Sequence, residues 1–252
     1  MRKSVIVCAC AMLALGAAEA RAQWTQQPLD GRLLVGVNVG GQAGSTDADR
    51  QISFGLYDET AQVESSQTLS AGGVFDIGAT YRVGTNWGVG LGYSASGGSG
   101  DATVNGSLPH PLFFSQPRPF SATVDGLDTR ERAVHLQAVL FVPFIERVDF
   151  TFAAGPSFFT AEQGFSRGIS FTEVPPAFNA INVDGVEIVN VKKSGTGFNL
   201  SGDATYRITD VIGAGLTLRY TRASLDMELG DGNTVEARPG GFQVLVGARL
   251  RF

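Results

Sequence analysis

Eight stretches of the chain alternate strictly between large apolar residues and small or polar ones. This period of two limits what the chain can become more than any other feature. Leu33–Val39, Phe75–Val83, Trp87–Tyr93, Val134–Val142, Phe150–Ala154, Phe198–Ile208, Ala214–Tyr220 and Phe242–Phe252 each carry the pattern. Such alternation marks a β-strand with one apolar face. The 33 glycines among 252 residues fit the same picture, because Gly in a helix interior costs about 1 kcal/mol relative to Ala. The connections alternate too. Gly84-Thr85-Asn86, Phe144–Val148 and Thr209–Ile212 are tight turns, whereas residues 45–71, 97–131, 161–195 and 225–239 are long links.

A soluble sandwich also alternates. Here, however, the face opposite the apolar residues is Gly, Ser, Thr and Asn with isolated Asp and Arg, which suits a narrow polar interior. An even strand count with short turns at one end and long loops at the other is the signature of an outer-membrane barrel. In lipid every backbone N–H and C=O must be paired within the protein, so the sheet must close. The expected fold is all-β: a single antiparallel eight-stranded transmembrane β-barrel with long extracellular loops and short periplasmic turns. Both termini then lie on the turn side. Tyr81, Trp87, Phe144, Phe150, Tyr206 and Phe252 fall beside the turns or at the C-terminus, as an interfacial aromatic girdle would.

The first residues read as a targeting segment. Arg2 and Lys3 precede an uncharged apolar stretch, Val5–Ala18, and Ala20-Arg21-Ala22 forms an A-x-A cleavage site. Ala18-Glu19-Ala20 offers a second site two residues earlier. The expected organisation is a signal peptide at 1–22, a periplasmic N-terminal segment at 23–31 and a barrel domain at 32–252. Cys8 and Cys10 both lie in the signal peptide, so neither a disulfide framework nor a thiolate metal site is expected. The apolar stretch is short of the ~20 residues a spanning helix needs, and no later run approaches that length. The formal charge of −5 argues against a nucleic-acid partner.

The chain from about Arg32 to Phe252 resembles the small eight-stranded outer-membrane barrels of the OmpA/OmpX type. Its end, Gly247-Ala248-Arg249-Leu250-Arg251-Phe252, is similar to their C-terminal assembly signal, with Gly247, apolar Leu250 and a final aromatic Phe252. Leu245 departs from the polar residue usual two positions before the Gly. The resemblance implies the fold, the outer membrane of a Gram-negative-type bacterium, and handling by the barrel-assembly machinery. The family is functionally mixed and includes membrane anchors and adhesins.

An eight-stranded barrel is just wide enough for side chains to fill. Asp76, Arg82, His135, Asp203, Arg207, Arg219, Arg249 and Arg251 are expected to point inward. Buried charges need partners, and Asp203 and Arg219 come to nearly equal height across the Thr209–Ile212 turn, where they could pair. Nucleophilic catalysis would need a hydroxyl beside a base. His135 has Ala133 and Gln137 at two residues, not Ser, and His110 sits between Pro109 and Pro111 on a loop. No metal-ligand spacing and no phosphate-binding glycine motif is present, so no cofactor is expected.

The second long link concentrates rigid and aromatic residues in Leu108–Phe120. Phe113, Phe114, Arg118 and Phe120 are candidate contacts to lipid, a partner protein or a surface. They could instead fold down as a cap on the barrel mouth. The expected role is structural or interactive and non-enzymatic, with outer-membrane lipid and a surface partner as candidate contacts. The alternative is a narrow pore or small-solute carrier; a lipid-active enzyme ranks third.

Overall fold

The computed structural model describes residues 31–43, 46–69, 72–228 and 234–252. The signal peptide and the segment before residue 31 lie outside the described residues. The strands in order are β1 (Leu33–Ala43), β2 (Thr46–Leu56), β3 (Glu59–Leu69), β4 (Gly73–Arg82), β5 (Trp87–Leu108) and β6 (Arg118–Ile145). They continue as β7 (Val148–Glu173), β8 (Ile181–Arg207), β9 (Ile212–Ala223), β10 (Leu225–Glu228), β11 (Thr234–Ala237) and β12 (Gly240–Arg251).

Eight strands close a ring, and they contain the eight alternating segments. β1 pairs antiparallel with β4 on one side and β12 on the other. The circuit continues through β5, β6, β7, β8 and β9. Leu33 and Phe252 seal the seam by exchanging backbone N–H···O bonds of 2.9 and 2.8 Å. Following ladder partners once around the ring returns to β5 displaced by ten residues. That stagger tilts the strands by about 40°.

Outward side chains in the lower part of the ring are apolar and exposed, among them Val37, Ile77, Leu91, Leu136, Phe152, Leu200, Leu216 and Val246. Tyr81, Trp87, Phe144, Tyr206 and Phe252 are exposed at the short-turn end, and Phe150 packs edge-on against Phe144. A second aromatic level borders the other side of the band. Phe75, Tyr93, Phe158, Phe198, Tyr220 and Phe242 form it.

A strand needs 9–11 residues to cross a bilayer, but β5, β6, β7 and β8 have 22, 28, 26 and 27. Their distal parts project beyond the membrane as sheet. The long links therefore depart from the expected loops. β2 and β3 form a hairpin that pairs with distal β5, and β10 and β11 form a smaller one. The first and third links alternate over 52–59 and 186–193 as strands do, and the structure extends the sheet through both.

The polarity of the two faces inverts at the bilayer border. Within the band the interior is mainly polar, with Val74, Val139, Phe141 and Leu245 buried among the polar groups, and the exterior is apolar. Beyond it Ala61, Val63, Ala102, Val104, Leu108 and Leu127 are buried inside, as are Ala161, Phe165, Leu225, Met227 and Ala237 in one cluster. Outward positions there are polar, as at Asn105, Asp128 and Lys192.

Close packing inside the narrow ring depends on missing side chains. A Cβ on Gly215 would lie 2.5 Å from Arg249 Cζ, whereas one on Gly41 would meet nothing within 4 Å. Gly215→Val is expected to lower the temperature at which the compact, unheated gel species disappears by several degrees, and Gly41→Ala to leave it unchanged. Equal melting of the two variants would refute the packing around Arg249.

Candidate functional site

The interior of the ring is filled largely by polar side chains arranged in layers. Nearest the periplasmic turns, Asp149 accepts from Arg251 at 2.8 Å and lies 3.4 Å from Arg207. Arg82 stacks over the Phe141 ring at 4.4 Å. Above them are two linked ion pairs. Asp76 accepts from Arg219 Nη1 at 2.6 Å and from Asn38 Nδ2 at 2.7 Å. Asp203 accepts from Arg249, from Thr205 Oγ1 at 2.6 Å and from Thr217 Oγ1 at 2.7 Å. Arg249 donates to Asn38 Oδ1 at 2.5 Å, so Asn38 joins the two pairs into one network.

The expected Asp203–Arg219 pair is not formed. The register sets Asp203 opposite Thr217 and Arg219 opposite Ser201. Each charge instead reaches across the lumen, Arg219 to β4 and Asp203 to β12. Asp149, the acid of the lowest layer, falls between the expected turn Phe144–Val148 and the alternating segment that begins at Phe150, so spacing alone does not mark it as inward.

His135 is fully buried between two hydroxyls. Its Nε2 lies 2.9 Å from Ser94 Oγ and its Nδ1 lies 2.7 Å from Ser157 Oγ. No Ser lies two residues from His135 on its own strand; these two come from the neighbouring strands β5 and β7. Ser157 Oγ also accepts from Asn199 Nδ2 at 2.8 Å. Asn199 has a structural task as well. The β6–β7 ladder skips from His135↔Ser157 to Ala138↔Ala154, beside Pro156, which has no N–H to give. Asn199 Nδ2 donates to the Gly155 carbonyl at 3.0 Å and to the Pro156 carbonyl at 3.3 Å. At the top of the ring, Gln243 donates to Gln42 at 2.9 Å, and Gly240 N donates to Glu131 at 3.1 Å, spanning the mouth.

The distal end gathers three hairpin turns around one cation. Arg118 is 4% exposed and forms an ion pair with Glu173, with Nη2 donating to Oε1 at 2.8 Å. It also donates to the Phe178 carbonyl at 3.0 Å and the Pro109 carbonyl at 2.6 Å. Tyr57 donates to Glu173 at 3.1 Å, and Ser115 N donates to Glu59 at 2.8 Å. His110 is buried. Its Nδ1 accepts from the Leu112 and Phe113 amides at 3.1 and 3.2 Å, and Nε2 donates to the Ala177 carbonyl at 3.2 Å. The Arg118 guanidinium holds the Glu173 carboxyl below the usual carboxylate range.

Two of the four loop candidates change role in consequence. Arg118 is a buried brace rather than an exposed contact, because three carbonyl and carboxylate groups converge on it. Phe120 lies in β6 with its ring over Gly106, whose Cβ position it would overlap at 2.8 Å. Leu112, Phe113 and Phe114 are 63, 55 and 73% exposed at the tip. At the opposite end Gly247 faces Asn38 and Leu250 faces Val35 in the ladder.

The sequence matches the outer membrane protein beta-barrel domain family over residues 8–250. The chain belongs to that family. It is therefore an outer-membrane protein of the Gram-negative cell envelope. No curated protein matches it. Among solved structures it is similar to OprG of Pseudomonas aeruginosa, at 8% identity and a TM-score of 0.51, covering 88% of this chain and 96% of that one. Neisserial surface protein A follows at 11% identity and a TM-score of 0.44, covering 87 and 96%. The outer-membrane protease OmpT of Escherichia coli is similar at 11% identity and a TM-score of 0.38, covering 92 and 99%. At 8% identity the likeness to OprG speaks to the fold alone.

Breaking the Asp76–Arg219 pair should strand a buried charge. Arg219→Ala is expected to destabilise the barrel by about 3–5 kcal/mol, and adding Asp76→Ala to recover part of that. The combination of Asp203→Ala with Arg219→Ala should be closer to additive, as measured by denaturant melting in detergent. Strong coupling of Asp203 to Arg219 would contradict the register.

The distal brace should also respond to pH. Because the folded Glu173 carboxyl is held low, its contribution is complete above the ordinary glutamate range and is lost as pH falls through the lowered value. Amide exchange at Leu112 and Phe113 should accelerate in that acid window, and Glu173→Gln should remove this part of the pH dependence. An unchanged acid profile in that variant would show that Glu173 does not hold the tip.

Proposed function

We propose that this barrel is a non-enzymatic surface-contact protein whose β-extension presents an apolar tip, Leu112-Phe113-Phe114, to a partner surface outside the cell. The observation that carries this reading is the contrast at the distal end. Three large apolar side chains stand in water while the backbone beneath them is tied to the Arg118–Glu173 pair, whose cation is buried. Exposed apolar groups of this size in a soluble setting mark interaction sites. A braced tip loses less conformational entropy on binding than a free loop would. The nearby cation is buried and paired, so the tip suits an apolar partner better than an anionic one.

The filled lumen supports a non-conducting role over a narrow pore. Arg and Asp side chains that satisfy each other across the ring leave little for a passing ion. Ser94, His135 and Ser157 do not read as a catalytic set. They are fully or almost fully buried, and both imidazole nitrogens are engaged by hydroxyls, so no substrate reaches them.

The test uses cells displaying the intact barrel. Leu112→Ser, Phe113→Ser and Phe114→Ser together should leave heat-modifiability and melting unchanged yet reduce adhesion to apolar and protein-coated surfaces several-fold. Arg118→Ala should reduce adhesion while also loosening the tip. Undiminished adhesion by the triple variant would sink the reading, as would step-like conductance of the wild-type barrel in a planar bilayer.

A further inference from the structure

The tip rests on an imidazole as well as on an ion pair. His110 is 3% exposed, and the amides of Leu112 and Phe113 donate to its Nδ1 at 3.1 and 3.2 Å. Pro111 has no N–H, so these are the first amides after the ring that can do so. Two donors aimed at one nitrogen fix the tautomer. Nδ1 keeps its lone pair, and the ring proton sits on Nε2, which donates to the Ala177 carbonyl at 3.2 Å. The flanking backbone is held as well, because the Pro109 carbonyl accepts from Arg118 Nη2 at 2.6 Å. The Phe113 ring packs against the imidazole with centroids 5.0 Å apart.

A second ring proton has no place in this arrangement. On Nδ1 it would turn the acceptor into a donor facing two donors, and both amides would lose their partner. Arg118, reaching in from β6, opposes another cation here. Glu173 of β7 would favour one, but its carboxylate already accepts from Arg118 and Tyr57. Glu59 of β3, beside Asp58 in the β2–β3 turn, accepts from the Ser115 amide. Carboxylates and phenols ordinarily change charge outside the pH 5–8 range, and imidazoles within it. Among the described residues of this end, the charge of His110 is therefore the one that changes in that range. An opened turn takes up the proton more readily than the closed one. The stability His110 lends is present above the histidine range and is lost as pH falls through it.

We propose that His110 is an acid-release switch for the contact tip. The neutral imidazole holds Leu112-Phe113-Phe114 in its presenting turn, and protonation frees the turn and weakens the contact. This regulation rests on the reading of the tip as the contact surface. The Glu173 carboxyl, held below the usual carboxylate range by Arg118, keeps its charge throughout the histidine range. The two supports therefore fail in separate windows, the imidazole first.

The test compares the full barrel at about pH 7.5 and about pH 5.5, on either side of the ordinary histidine midpoint. In nanodiscs, the exchange protection of the Leu112 and Phe113 amides should fall roughly tenfold in the acid buffer. The nitrogen signals of the His110 ring should pass from an unprotonated Nδ1 to a doubly protonated ring over the same interval. His110→Asn places a carbonyl oxygen where Nδ1 stands, accepts the same amides and does not titrate. It should keep its protection in acid. On cells displaying the barrel, wild type should lose adhesion several-fold in acid and His110→Asn should retain it. Unchanged protection in wild type, ring protonation out of step with the loss, or the same acid loss in His110→Asn would each overturn the switch. So would a loss of protection that leaves adhesion intact. Equal adhesion of wild type and the Leu112, Phe113 and Phe114 triple Ser variant at about pH 7.5 would instead sink the contact tip. The exchange and ring signals would still judge whether His110 holds the turn.

Discussion

A peptide group inside lipid has no water to turn to, and the rest of this structure follows from that. Eight strands must find partners on both sides, which is possible only if the last returns to the first. The bonds between Leu33 and Phe252 are where the ring meets that demand. Where the ladder is interrupted beside Pro156, the protein supplies an amide side chain from Asn199 to the neighbouring carbonyls. The interruption thus comes with its own repair, built into the interior rather than the lipid face.

Closure with eight strands leaves an interior too narrow for bulk water and too polar for an oily core. The ion pairs resolve that conflict only because they are matched. Asp76 and Asp203 each accept several donors, and Asn38 ties them together, so in that layer each carboxylate and its arginine stand paired. Glycine at Gly215 gives the Arg249 guanidinium its place. Beyond the bilayer the same strands obey the opposite rule, with an apolar core around Phe165 and Met227 and a polar exterior. A single strand such as β6 therefore changes its inside-outside logic along its length, at about Arg132.

What could be read from the sequence follows from this division. Within the band the period of two marks each face unambiguously, so the eight strands, the periplasmic aromatics and the inward orientation of Asp76, Arg219 and Arg249 were legible. Which acid meets which base was not, because pairing across the lumen depends on the stagger of the whole ring and leaves no trace in spacing along the chain. Ser94 and Ser157 escaped for the same reason: they reach His135 from neighbouring strands. Beyond the band the signal misleads. Leu108–Phe120, with its prolines and phenylalanines, has the composition of an exposed loop. Yet Arg118 is drawn inside because unsatisfied carbonyls there need a donor more than solvent needs a cation.

The length of β6 and β7 also makes the protein a spacer. From Arg132 to Arg118 the chain runs through continuous sheet, roughly 45 Å of extended backbone before tilt is allowed for. Sheet braced on several sides bends little, so whatever touches Leu112 or Phe114 does so at a nearly fixed stand-off from the cell. Such a column works where surrounding surface polymers are shorter than itself and is shaded where they are longer. The range of contact is then decided by neighbouring molecules as much as by the tip.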